Sequence, residues 1–211
     1  MAEHGPHIVV IGGPNGAGKT TISRDVLADT LRITEFVNAD AIAAGLSGFD
    51  PARAALAAGR VMLARLHQLA TADPPVNFAF ESTLASRTFA PWLSKRIDQG
   101  YAVHLLYIWL RSPELAIRRV RSRVRKGGHS IADEVVRRRY ARSVANLFDL
   151  YLPLAERAGT WRIYNNSTRA LRLVANGGRG AAPIIHQKAT FARIKETARA
   201  STRHDEEADG L

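Results

Sequence analysis

Short apolar runs alternate along this chain with stretches whose apolar positions recur every three to four residues. The runs have the pattern of buried strands, and the recurrences that of helices with one buried stripe. His7-Ile8-Val9-Val10-Ile11 reads as the first strand and Lys19–Leu27 as its helix, with Ile22, Val26 and Leu27 on one face. Phe36–Asp40 is a short second strand ending in an acid. Asp50-Pro51 caps an Ala-rich helix that runs to about Thr71 and is stopped by Asp73-Pro74-Pro75. Asn77–Glu81 is the third strand, again closed by an acid, and Ser86–Gln99 is a helix ended by Gly100. Tyr101–Leu110 is nearly all aromatic or aliphatic, which predicts a central strand. Ser112-Pro113-Glu114 opens a helix that breaks at Gly127-Gly128. Another helix begins near Ala132–Asp133, passes Leu150 and ends before Pro153. Trp161–Tyr164 is a strand, and Leu171–Ala175 is one more, turning through Asn176-Gly177-Gly178. Phe191–Ala198 reads as a helix and Ser201–Leu211 as a frayed polar tail. Such alternation is the mark of an α/β fold with a mainly parallel sheet. One domain over residues 1–200 is expected, with a flexible tail at 201–211.

The loop between the first strand and its helix carries the clearest chemistry. Gly13-Pro14-Asn15-Gly16-Ala17-Gly18-Lys19-Thr20 fits G-x-x-x-x-G-K-[ST] without mismatch, and Thr21 follows it. Glycines let the backbone curl so that successive N–H groups point at phosphate oxygens, and the helix starting there aims its positive end at the same anion. Lys19 is placed to reach the β- and γ-phosphates and the Thr20 hydroxyl to bind Mg²⁺. A P-loop NTPase or kinase that binds ATP or GTP follows from this motif in this context.

Two acids fall at the carboxyl ends of strands, where open parallel sheets bind ligands. Phosphoryl transfer to an alcohol needs a group that orients the hydroxyl and takes its proton, and groups that hold the acceptor. Asp40 is the candidate for the first role, the alternative being a cap on a helix starting at Ala41. Glu81 is the candidate for the second, or for a metal-bound water, with the hydroxyls of Ser82 and Thr83 beside it.

The formal net charge is +11, and between residues 111 and 142 eleven Lys/Arg stand against three acids. A charge so localised suits a polyphosphate ligand at least as well as a nucleic-acid backbone, and no aromatic stacking platform supports the latter. Arg119 and Arg123 share a helix face one turn before the glycine pair, and Arg137, Arg138, Arg139 and Arg142 follow His129. This layout suits a lid over 118–142, hinged at the glycines, whose planar guanidinium groups close on the transferring phosphoryl group. The chain has no cysteine, no apolar stretch long enough to span a bilayer, and a first strand that starts at His7, so a cytoplasmic protein without a membrane part or secretory signal is expected.

The P-loop, the Asn38-Ala39-Asp40 corner, Phe80-Glu81-Ser82-Thr83-Leu84 and Gly127-Gly128-His129 leading to Arg139-Tyr140 together resemble zeta toxins, and more closely the short zeta-like kinases of bacteria. The resemblance covers about Ile8 to Ser167. It implies a P-loop kinase fold with strand order 2-3-1-4-5, ATP or GTP with Mg²⁺, and phosphorylation of the 3′-hydroxyl on the amino-sugar of UDP-N-acetylglucosamine. It also implies an antitoxin protein that blocks the nucleotide site. Carried over by position, Lys19 and Thr20 match the phosphate and magnesium residues, Asp40 the base, and Glu81 an acid that contacts substrate. Arg119 or Arg123 matches the first lid arginine, while His129 or Arg139 fills the place of the second. A kinase for another acceptor (a nucleoside, a coenzyme or an RNA end) is the alternative within this fold. A nucleotide-binding switch without catalysis is the alternative outside the enzyme class.

Overall fold

The structure is a computed structural model that describes residues 5–23, 33–48, 53–128, 130–168 and 170–209, the last seven of these as backbone only. Its strands are β1 (His7–Gly12), β2 (Glu35–Val37), β3 (Phe78–Ser82), β4 (Ala102–Trp109), β5 (Gly159–Asn165), β6 (Arg172–Gly178) and β7 (Ala181–Ile185). They form one sheet in the order β2-β3-β1-β4-β5-β6-β7, parallel as far as β5 and antiparallel beyond. The first five follow the order that the resemblance implied. Ile8 to Ile11 of β1 and Phe78 to Phe80 of β3 are all buried, as expected for strands covered on both faces. Register sets Ile11 opposite Glu81 and Gly12 opposite Ser82. The loop leaving β1 and the acid ending β3 are therefore neighbours because of strand pairing alone.

Helix α1 is described over residues 19–23; α2 (Ala39–Leu46), α3 (Ala55–Ala70), α4 (Phe89–Asp98), α5 (Pro113–Val124), α6 (Asp133–Asn146), α7 (Leu152–Ala158) and α8 (Lys188–Asp209) follow. The later part of the expected first helix, and the cap expected at Asp50-Pro51, lie outside the described residues.

Four expectations need correction. The helix after β3 starts at Phe89 rather than Ser86, because the Ser86 hydroxyl is committed to a local turn, accepting from the Thr88 N–H at 3.1 Å. The segment after α6 does not stop before Pro153. It passes through a π-turn (Leu147–Tyr151) into α7, where Pro153 sits in the first turn and its missing N–H costs nothing. Asn176-Gly177-Gly178 belongs to β6 and is not a turn. A Cβ at Gly177 would lie 2.7 Å from the Trp161 ring, so close packing explains that glycine, and the reversal falls at Arg179-Gly180. The added edge strand β7 contains Pro183, which an outer strand tolerates. Finally, α8 runs from Lys188 to Asp209 and is longer at both ends than the expected Phe191–Ala198.

Candidate functional site

The loop after β1 has the conformation its glycines permit. Gly13 has φ +141°, and a Cβ there would lie 2.3 Å from the Ile108 carbonyl oxygen of β4, so only glycine fits. Gly16 (φ +74°) is packed against Ala116 and Arg119 of α5, which brings that helix onto the loop. Asn166, just past β5, donates from Nδ2 to the Ala17 carbonyl at 2.8 Å and braces the loop from the other side. Lys19 is buried, and its Nζ donates to the carbonyls of Gly13 (2.8 Å) and Pro14 (3.1 Å). Burial pushes its ammonium below the ordinary lysine pKa, while the carboxylates of Glu81 and Asp40 pull it back up. Thr21 is exposed at the start of α1.

Glu81 meets this loop from the end of β3, whereas Asp40, expected to end the second strand, lies in the first turn of α2 because β2 stops at Val37 and Asn38 caps the helix; Asn38 bonds to both. Its Oδ1 caps α2 by accepting from the N–H groups of Asp40 (2.8 Å) and Ala41 (3.3 Å). Its Nδ2 donates to Glu81 Oε2 at 2.8 Å. The same Glu81 oxygen accepts from the Thr20 hydroxyl at 2.8 Å, and Oε1 lies 3.8 Å from Lys19 Nζ. Glu81 thus faces Lys19 and Thr20. A hydroxyl and a carboxylate side by side form a hard oxygen donor set, and Mg²⁺ is commonly held by one or two protein groups together with phosphates and water, so the pair fits that ion. Because Asn38 supplies the cap, Asp40 is relieved of it. The Asp40 side chain is 57% exposed, and Oδ2 accepts from Arg123 Nη1 at 3.3 Å.

A cavity of about 930 Å³ opens beside these groups. Asn15, Lys19, Asp40 and Glu81 line one part of it, together with Ser82 and Thr83, whose hydroxyls accept from the N–H groups of Leu84 (3.1 Å) and Ala85 (3.4 Å). Leu56 and Leu63 of α3 form an apolar wall, 71% and 38% exposed. Arg138, Arg139 and Arg142 of α6 line it as well, with Arg60 and Arg87. Arg119 and Arg123 line a separate recess of about 490 Å³ with Gly127 and Gly128. Two ion pairs tie α5 to α6: Arg121 to Asp133, and Arg137 to Glu114 at 3.7 Å. Arg121 is therefore a tie between helices. His129 lies outside the described residues.

Several site residues escaped the sequence reading. Asn38 was legible, since Asn before Ala-Asp at a strand end is a helix-cap signal. Asn146 and Tyr151 were not: Asn146 Nδ2 donates to the Leu84 carbonyl (2.8 Å) and Tyr151 Oη to the Ser86 carbonyl (2.7 Å), more than sixty residues away. They pin the loop that follows β3, in which Leu84 takes the left-handed φ of +57°.

Residues 8–147 match a family model described as an AAA domain. An uncharacterised protein of Haemophilus influenzae is 32% identical over 128 residues, covering 61% of this chain and 88% of that protein. A chain of the AvrRxo1-ORF1:ORF2 complex crystallised with ATP shares the fold with TM-score 0.75 at 17% identity, over 90% of this chain and 63% of that one. This chain thus spans somewhat under two thirds of that neighbour's length. The PezAT toxin–antitoxin system of Streptococcus pneumoniae gives TM-score 0.62 at 16% identity, over 98% and 88%. At these identities the likeness is one of fold, that of P-loop kinases.

Proposed function

The chain belongs to the AAA domain family whose model spans residues 8–147, and from that premise we propose that it is a kinase moving the γ-phosphoryl group of ATP or GTP to a hydroxyl of a UDP-amino-sugar such as UDP-N-acetylglucosamine. The observation that carries the reading is Asp40. It is freed from capping by Asn38 and lines the same cavity as Lys19. Backbone N–H groups of the loop and the Lys19 ammonium hold the donor phosphates. Thr20, with Glu81 directly or through water, would hold Mg²⁺, which when bound neutralises charge on the phosphate oxygens. Asp40 takes the proton of the acceptor hydroxyl as its oxygen bonds to the γ-phosphorus, and the bond to the β–γ bridging oxygen breaks to release the diphosphate. Arg119 and Arg123 stand beside the loop, where developing charge on the transferred group needs compensation.

The acceptor half of the proposal rests on the cavity. Arg138, Arg139 and Arg142 suit the diphosphate of a sugar nucleotide, and the leucines of α3 suit the flat faces of its rings. Ser82 and Thr83, with His129, are proposed to complete the acceptor contacts. A protein antitoxin is proposed as a partner by analogy with the PezAT fold neighbour. The test is a panel of alcohols, with UDP-N-acetylglucosamine among sugar phosphates, nucleosides, coenzymes and RNA ends, offered with γ-labelled ATP and GTP. The reading expects label in the sugar nucleotide, and none with Lys19→Ala. Label in another acceptor keeps the kinase and replaces the substrate, and label in none removes the kinase reading.

A further inference from the structure

Arg123 sits in the last turn of α5, and its side chain is only partly satisfied. Nη1 donates to Asp40, whereas Nε and Nη2 are buried and have no hydrogen-bond partner. These two nitrogens form one straight edge of the guanidinium, the edge that matches two oxygens of a phosphate or carboxylate. Among the described residues no acid is paired with it. A buried donor without an acceptor is costly, and two on one edge call for an explanation. Gly128 packs against the stem of this side chain: a Cβ there would lie 2.8 Å from Arg123 Cγ, and the Gly128 N–H donates to the Arg123 carbonyl at 3.1 Å.

We propose that Arg123 is a coupling residue. Its Nη1 orients the base Asp40, while its Nε–Nη2 edge is kept for oxygens of the phosphoryl group to be transferred. One rigid planar group then spans donor and base, so that donor occupancy and orientation of Asp40 are a single event. Productive binding of the acceptor follows binding of the donor. The inference rests on the kinase reading above and adds the order of events within it.

The test needs no acceptor. Mg²⁺ complexes of the β,γ-imido analogues of ATP and GTP, and of the matching diphosphates, are titrated into the wild type, Asp40→Asn, Arg123→Gln, the double variant and Arg123→Lys. Asp40 is 57% exposed and Arg123 partly buried at 39%, and neither belongs to the hydrophobic core, so the core is untouched by these changes. For the triphosphate analogue, the two single substitutions are expected to depart from additivity by about fivefold or more. For the diphosphate, which lacks the transferring group, they are expected to add. Arg123→Lys keeps the charge but not the fork, and is expected to behave like Arg123→Gln. Additive effects with the triphosphate, equal coupling with the diphosphate, or a Lys variant like the wild type each overturn the coupling and leave the kinase in place. A wild type that takes up neither purine removes both.

Discussion

Asn38 joins two tasks in one side chain, capping α2 through Oδ1 and holding Glu81 through Nδ2. The two can be separated by substitution. Asn38→Ala loses the cap, which costs about 1 kcal/mol, or roughly 2–4 °C in melting temperature for a chain of this size. Asn38→Asp keeps an oxygen for the cap but sets a second carboxylate against Glu81. The expectation is turnover reduced at least tenfold for Asn38→Asp, and reduced melting for Asn38→Ala; thermal denaturation beside a turnover assay checks both. At this scale the sequence was informative wherever chemistry is local. Lys19, Thr20, Asp40 and Glu81 stand out because each belongs to a motif or a strand end. Asn166 does not, since its partner Ala17 is 149 residues away and nothing near Asn166 marks the contact.

Among the elements, the loop after β3 is held by residues of the α6 end and the π-turn as well as by its own turn chemistry. Tyr151→Phe removes the bond to the Ser86 carbonyl at a cost of about 1 kcal/mol. It is expected to raise KM for the acceptor severalfold while nucleotide affinity stays constant, as paired kinetics and titrations would show; a change confined to nucleotide affinity would contradict this placement. At the opposite ends of the strands, His7 Nδ1 lies 2.9 Å from His104 Nε2, and His104 Nδ1 lies 2.9 Å from Thr160 Oγ1, linking β1, β4 and β5. Burial first, then the neighbouring His7 and Arg162, bring the His104 pKa down to about 4. Between that value and the ordinary 6.5 the unfolded chain binds a proton that the folded one refuses, so stability present above pH 6.5 is lost as pH falls toward 4. Melting temperatures between pH 7.5 and 4.5 should fall, and fall less in His104→Gln; equal slopes would show that other groups govern the acid limb.

For the molecule as a whole, the parallel half of the sheet was readable because apolar runs and helical periods alternate cleanly through Ile8–Ile163. Of the antiparallel extension only Leu171–Ala175 was readable; the end of β6 and the whole of β7 were not, because Asn-Gly-Gly and Ala-Ala-Pro look like breakers until the Trp161 ring and the outer edge of the sheet are known. The concentration of arginines over 111–142 was legible as a charge, but its division between the cavity, the recess beside the loop and the ties between α5 and α6 depends on how the two helices pack. The central claim joins a phosphate cradle to a carboxylate relieved of capping across one cavity. It is tested most directly by rapid-quench single-turnover transfer from labelled Mg-ATP or Mg-GTP to the acceptor, comparing wild type with Asp40→Asn at saturating nucleotide. The account predicts a transfer rate lower by about 10²–10⁴-fold once the nucleotide site is saturated. Transfer by Asp40→Asn at a rate close to that of the wild type would contradict it.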